Sequence, residues 1–251
     1  LVVSNNQAEC DAVFSSIRKT LAHSFNTGPA DWYLGMKIQQ TIEHGILVAV
    51  TLSQKAYIEQ ICKRNGIALD KHSGGVRTPC TQTKMTIEDC PKVNSNARGK
   101  HASEHDKKVI AEQAKFRANV GALLFLCRCT MPMISFAVGR LGRFSSNSGE
   151  SHWKEMKHLV RFIKSFRHMG IRYSRPNPGE PGYISSLVPK AILASYNSQK
   201  VPHFRCYTDS DFAGCPDSSR STSGNVVVWM GAAISWASQL QACVTLSTAE
   251  A

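Results

Sequence analysis

The stretch Cys206–Gly224, CYTDSDFAGCPDSSRSTSG, sets three carboxylates, Asp209, Asp211 and Asp217, within nine residues of a chain whose formal charge is +12. Carboxylates this dense can ligate calcium, hold catalytic magnesium or finish an ordinary solvated turn. The calcium loop fails by position, because an EF-hand wants oxygen donors at positions 1, 3, 5 and 12 and Gly at 6. Counting from Asp209, Asp211 and Gly214 fit, but Ala213 stands at position 5 and the cation Arg220 at position 12. A two-metal nuclease site instead gathers carboxylates from separated segments and sets its cations about 4 Å apart across a phosphate. An aspartate ending a strand is a rigid anchor for such a site, but on its own it reads equally well as turn chemistry.

Three strand-like runs surround the acidic stretch, Phe204–Asp209, Gly224–Trp229 and Ala233–Ala237, with a helix expected from Ser247 or Thr248. Leu1–Ser4 reads as the end of a buried strand, and Ala8–Leu21 has an approximate helix period in Ala8, Ala12, Phe14, Ile17 and Leu21. Trp32–Gln40 and Ile46–Leu52 read as strands joined by TIEHG, where Gly45 supplies the turn. Ser53 suits an N-cap for a helix through Asn65 that Gly66 stops, with Ala56, Tyr57, Ile61 and Cys62 on its inner face. Residues 69–104 read as a long mobile loop; its HASEH segment holds two histidines with no third ligand in view. Helices are expected over 106–129, from Pro132 to about 144, and from 150 to 166, and a short strand over 171–174. The prolines and glycines of RPNPGEPG open a linker over 175–203.

On the third of these helices Trp153, Met156, Val160 and Ile163 form an apolar stripe, and Lys154, Lys157, Arg161 and Lys164 repeat its spacing one residue later. That basic stripe is either a solvated face or a row of phosphate contacts. Residues 106–174 carry a net +9 while residues 204–251 carry −2, which favours a polyanion partner for the body and a cation-binding role for the small module. Nine cysteines without a CxxC pair argue against zinc-ribbon spacing and for a reducing compartment; Cys127-x-Cys129 reads as packing. No apolar run is long enough for a membrane helix, and polar Asn5-Asn6-Gln7 interrupts any signal-peptide pattern. The missing initiator Met and the helix-opening LSTAEA at the end suggest part of a longer protein.

YTDSDFAG (207–214), RSTSG (220–224), ISW (234–236) and LSTAEA (246–251) together resemble the start of the ribonuclease H domain of copia-type LTR retrotransposon Pol polyproteins. WYLGMKI (32–38), TLSQKAYIEQICKRNGI (51–67), VGALLFL (120–126), ISFAVGRLGRFSSN (134–147) and HWKEMKHLVRFIKS (152–165) resemble the last part of the same family's reverse transcriptase. The words follow the family's order over nearly the whole chain. The resemblance implies an α+β chain: residues 1–174 as the end of a reverse transcriptase with a palm end, primer-grip-like hairpin and thumb or connection helices, 175–203 as linker, and 204–251 as an incomplete ribonuclease H-like α/β module.

By that resemblance Asp209 is a catalytic, Mg2+-binding carboxylate, Asp211 a second candidate ligand, and Asp217 a turn residue. The family's next catalytic glutamate would follow Ala251, and its YxDD polymerase motif would precede Leu1. The chain alone is therefore expected neither to hold the metal nor to synthesise DNA or cleave RNA, although the parent does both. Leu34 and Gly35 would lie nearest the primer, and Arg117, Gly121 and Phe125 would line one face of a helix tracking the minor groove, unless Phe125 belongs to the core. The partner implied is an RNA–DNA hybrid or template–primer duplex, bound without sequence preference and with salt sensitivity. No membrane is implied, nor any small substrate beyond the parent's deoxynucleotides; the location is a retrotransposon particle in the cytoplasm, or the nucleus. Thr130-Met131-Pro132-Met133-Ile134-Ser135 departs from the family's T-R-P-D-I-S, losing a helix-start carboxylate, and the linker is longer than usual. Both changes suit a decayed copy, and a non-catalytic nucleic-acid-binding relic is the alternative reading.

Overall fold

The computed structural model describes residues 7–21, 30–70, 75–92, 103–174 and 204–251. The expected strand at Leu1–Ser4, His101 of HASEH and the linker 175–203 lie outside the described residues. The molecule is α+β, with five helices and two antiparallel sheets among the described residues. Helix α1, Gln7–Leu21, has half-buried Cys10, Phe14 and Ile17, while Ala8 and Ala12 of the expected stripe are exposed.

The first sheet has the order β1 (Trp32–Tyr33), β2 (Met36–Glu43), β3 (Ile46–Ser53) and β4 (Ile171–Ser174). The run expected as one strand over 32–40 is broken by a reversal at Leu34–Gly35, with φ of 46° and 75°. His44–Gly45 turns the next hairpin with φ of 51° and 77°. Consecutive left-handed residues match the twist of the strands they join, and Gly at the second position bears that conformation without a Cβ penalty.

Helix α2 is Lys55–Arg64. Ser53 is not its cap, because pairing with Lys37 keeps Ser53 extended in β3. Gln54 precedes the helix instead and spends its side-chain oxygen on Thr130 Oγ1 at 2.8 Å, 76 residues away. Ile58, Ile61 and Cys62 face the core, whereas Ala56 is exposed. Helix α3, Glu104–Cys129, begins earlier than its apolar pattern suggested, because Ser103 Oγ accepts from the Asp106 amide at 3.1 Å and donates to the Asp106 carboxylate at 2.8 Å. A 3-10 turn from Pro132 leads into α4, Ser135–Gly142, and α5 spans Glu150–Ser165.

These helices share one core in which Phe116, Leu123, Leu126, Met131, Ile134, Leu141, Met156 and Ile163 are almost fully buried. Polar links cross it. Gln113 accepts from the Ser148 amide at 2.6 Å and donates to its carbonyl at 3.1 Å, and Asn65 and Asn119 exchange amide hydrogen bonds at 3.1 Å. Residues 75–92 are irregular as expected apart from a 3-10 turn at Ile87–Asp89, but they form a strap hydrogen-bonded along α5 rather than a free loop.

The second sheet, β5 (Phe204–Ser210), β6 (Thr222–Trp229) and β7 (Ala232–Leu240), is a meander docked on this body. The Trp236 indole donates to the Cys127 carbonyl at 3.0 Å, Tyr173 Oη donates to Ala233 O at 2.8 Å, and the Ser174 amide donates to Met230 O at 3.2 Å. The expected helix from Ser247 is not formed. Residues 248–250 make a turn with one hydrogen bond from Glu250 N to Ser247 O, too little to nucleate a helix.

His152, fully buried at the start of α5, stacks on Phe144 at 3.9 Å and accepts the Gly149 amide on Nδ1 at 2.8 Å. Burial holds its imidazole below the ordinary value, against the pull of Asp89, the Thr86 backbone and Asp217. The helix N-terminus also disfavours a cation there. A base depressed in the folded state is protonated first in the unfolded chain. Its contribution is therefore complete above about pH 6.5 and is lost as pH falls below that value. Urea midpoints at pH 7.5 and 5.0 should drop more for the native chain than for His152→Gln, whose amide oxygen can still accept the Gly149 proton; equal drops would assign the pH dependence elsewhere.

Candidate nucleic-acid interface and carboxylate site

Asp209 lies next to the end of β5, opposite Gly224 of β6, which in turn pairs with Ser238 of β7. Its exposed carboxylate faces a groove of about 700 Å³ whose walls include Tyr207, Val226 and Trp236 from the sheet and Met133 and Phe136 from the body. Asp211 borders the same groove, yet its side chain turns back into its own loop. Asp211 Oδ1 accepts from the Thr222 amide, and a Cβ on Gly214 would overlap the other carboxylate oxygen. The backbone closes the same loop, with Asp211 N donating to Thr222 O at 3.1 Å. Ala213 N donates to Ser221 Oγ at 3.1 Å and Ser219 N to Cys215 O at 2.8 Å.

Asp217 is outside the groove and reaches the strap, where its Oδ1 accepts the Ile87 amide at 3.0 Å. It is a long-range tie as well as the turn residue the sequence suggested. Among the described residues no group of three or more His, Cys, Asp or Glu is placed to hold a metal ion. Asp209 offers one open carboxylate and Asp211 one that is already engaged, so these two do not make the oxygen shell that magnesium needs. No chemical step is assigned through a metal.

The basic stripe of α5 divides. Lys157 and Arg161 are exposed and make no ion pair among the described residues. Lys154 is exposed and paired with Glu150 at 2.9 Å. Lys164 does not belong to the open row: it is 6% exposed and lies 3.7 Å from Asp70. Its ammonium lies close to Cys62 of α2 and to Asp70 just beyond that helix instead of in solvent.

On α3 the line Arg117, Gly121 and Phe125 is exposed, with the Arg117 guanidinium donating to Ser145 O at 3.4 Å. A Cβ on Gly121 would meet nothing, so this part of the helix is open. Phe125 is 38% exposed rather than in the core, and its ring meets Tyr57 of α2 edge-on at 5.3 Å. Leu34, at the tip of the β1–β2 turn beside Gly35, is 66% exposed, and Trp32 and Tyr33 next to it are exposed too. Tyr57 is half-buried against the core, as its place on the inner face of α2 implied. The sequence reading missed the docking of the strap on α5, where Thr78 O accepts from His158 Nε2, because no local pattern signals a contact across 80 residues.

No family model matches the chain, and no solved structure matches it significantly. A retrovirus-related Pol polyprotein from transposon TNT 1-94 of Nicotiana tabacum is 29% identical over 243 residues, which are 95% of this chain and 15% of that protein. A retrovirus-related Pol polyprotein from transposon RE2 of Arabidopsis thaliana is 25% identical over 201 residues, 80% of this chain and 11% of its own. A protein named secreted RxLR effector protein 161, from Plasmopara viticola, is 31% identical over 131 residues, 52% of this chain and 76% of that protein. The chain thus spans only a small part of the polyproteins it matches.

The two aspartates of the acidic word should separate in a stability measurement. Asp211→Ala leaves the Thr222 amide without its side-chain acceptor and should cost about 1–3 kcal/mol. Asp209→Asn changes an exposed side chain and should stay within about 0.5 kcal/mol. Denaturant unfolding of both variants checks this; equal losses would contradict the division of roles.

Proposed function

The chain belongs to the copia-type Pol polyproteins of LTR retrotransposons, and we propose that its role within that family is to bind an RNA–DNA hybrid or template–primer duplex along the sugar–phosphate backbone. The observation that carries this reading is the open face of α3, where Arg117, Gly121 and Phe125 lie in line with space above Gly121. A glycine on an exposed helix face lets a duplex approach the backbone closely, flanked by a cation for phosphate and an aromatic ring for a sugar edge. The exposed turn at Leu34–Gly35 supplies a second contact at the end of a rigid hairpin.

In this reading residues 1–174 are reverse-transcriptase-like and 204–251 are ribonuclease H-like, joined through 175–203. The strand order β5-β6-β7 with Asp209 on the first strand supports that assignment of the second part. Asp209 is the carboxylate this reading reserves for a divalent cation. The further oxygen donors would have to come from outside the described residues, so the proposal for this chain is binding, not catalysis.

Fluorescence anisotropy of a labelled 20-base-pair RNA–DNA hybrid with the 251-residue chain tests it. Affinity should fall steeply as salt rises, because each neutralised phosphate releases counterion. Gly121→Glu, whose Cβ meets no neighbour and whose carboxylate is added to the open face, should weaken binding at least about tenfold at low salt with no loss of melting temperature, since Glu favours a helix interior more than Gly. Asp209→Asn should leave affinity unchanged. No binding, or binding indifferent to both salt and Gly121→Glu, would overturn the reading.

A further inference from the structure

The strap runs along α5 in the opposite direction and is tied to it at successive points. Val76 N donates to Ser165 Oγ at 3.2 Å, His158 Nε2 donates to Thr78 O at 2.9 Å, Thr81 N donates to Glu155 at 3.2 Å, and Ser151 Oγ donates to Asp89 at 2.7 Å. The first two ties bracket a single residue, Arg77. On the helix side the same two ties bracket Arg161, four residues before Ser165 and three after His158. Ser165 Oγ also donates to the Arg161 carbonyl at 3.1 Å, which closes the link between strap and helix there. Arg77 thus sits on the strap between its ties to Ser165 and His158, over the stretch of α5 that carries Arg161, with Lys157 one helical turn further along.

All three side chains are exposed, and none makes an ion pair among the described residues. The neighbouring charges are otherwise engaged: Glu155 is buried and holds Thr81, Lys154 is paired with Glu150, and Lys164 with Asp70. Three like charges gathered on a rigid face repel one another unless an anion lies across them. Two of them are guanidiniums, which fit phosphate oxygens with paired hydrogen bonds.

We infer that Arg77, Lys157 and Arg161 form a seat for the phosphodiester backbone of a nucleic-acid duplex, built by the strap laid on α5. The seat rests on the reading that the chain binds nucleic acid, and it replaces the linear stripe of the sequence pattern. Lys164 leaves that row for the interior, and Arg77 enters from a segment more than 80 residues upstream.

The test measures the slope of log affinity against log salt for the 251-residue chain on an RNA–DNA hybrid and on a DNA duplex of the same sequence. Arg77→Gln should make the slope shallower by about one, since one phosphate contact is lost, and Arg77→Lys should restore it. Lys157→Gln and Arg161→Gln carry the same expectation and decide the matter if Arg77→Gln melts below the native chain. A shallower slope on the DNA duplex with no hybrid binding would support the seat and overturn the hybrid reading. A hybrid bound tightly with the slope unchanged in all three Gln variants would overturn the seat and leave that reading standing. No binding to either duplex would overturn both.

Discussion

Helix α3 runs through the helical core, and side-chain hydrogen bonds to its neighbours act together with its buried apolar residues to fix it. Its buried face mixes Phe116, Leu123 and Leu126 with Gln113 and Asn119. Turning or sliding the helix would expose Phe116, Leu123 and Leu126, and each buried amide left without its partner would cost a further amount of about 1–3 kcal/mol. Gln113 grips the Ser148 backbone ahead of α5, Asn119 grips Asn65 at the end of α2, and Thr130 just past the helix grips Gln54. The three bonds set rotation and register together. The face left over is the line Arg117, Gly121 and Phe125, so the open surface follows from where the polar residues are buried.

The same logic explains the departure at 130–135. Met131 is almost wholly buried in the core, where an arginine would have to be desolvated or find a partner. Methionine fits that position by packing. Met133 lies partly exposed on the groove wall, and α4 has no acidic residue in its first turn. Ser135 Oγ instead donates to the Pro132 carbonyl at 2.7 Å, so the turn is closed by a neutral hydroxyl.

Much of the fold was legible because it depends on local chemistry. The hairpin at His44–Gly45, the stop at Gly66, the helices after Pro132 and Glu150, and the three-strand meander all follow from turn residues and periodicity. Features set by distant partners were not legible. Ser53 lost its capping role to strand pairing with Lys37, and Lys164 left the basic stripe because Asp70 lies near it. The loop 75–92 became a strap through hydrogen bonds to α5 that no spacing rule anticipates. Of the candidate site, the aspartates and most of the cations could be named from sequence. Which of them face solvent, and which are engaged, depended on contacts across the fold.

The acidic word shows how two identical side chains two residues apart come to differ. Both project from the same side of β5 and its continuation, since strand side chains alternate. Asp211, just past the strand, still donates its amide to Thr222 O, and its side chain takes the Thr222 amide as its partner, which closes the loop to Gly214. Asp209, still inside the strand, has its backbone satisfied by β6, and the residue opposite is Gly224, which offers no side chain to bond or cover it. Its carboxylate is left free by construction. Its position is nonetheless fixed relative to α3, because Gly224 pairs with Ser238, two residues along β7 from Trp236, whose indole is bonded to the Cys127 carbonyl. An unpaired carboxylate on a strand, registered through one tryptophan to the end of a long helix, is an arrangement in which the two surfaces can act on one extended ligand only if that ligand matches their fixed separation.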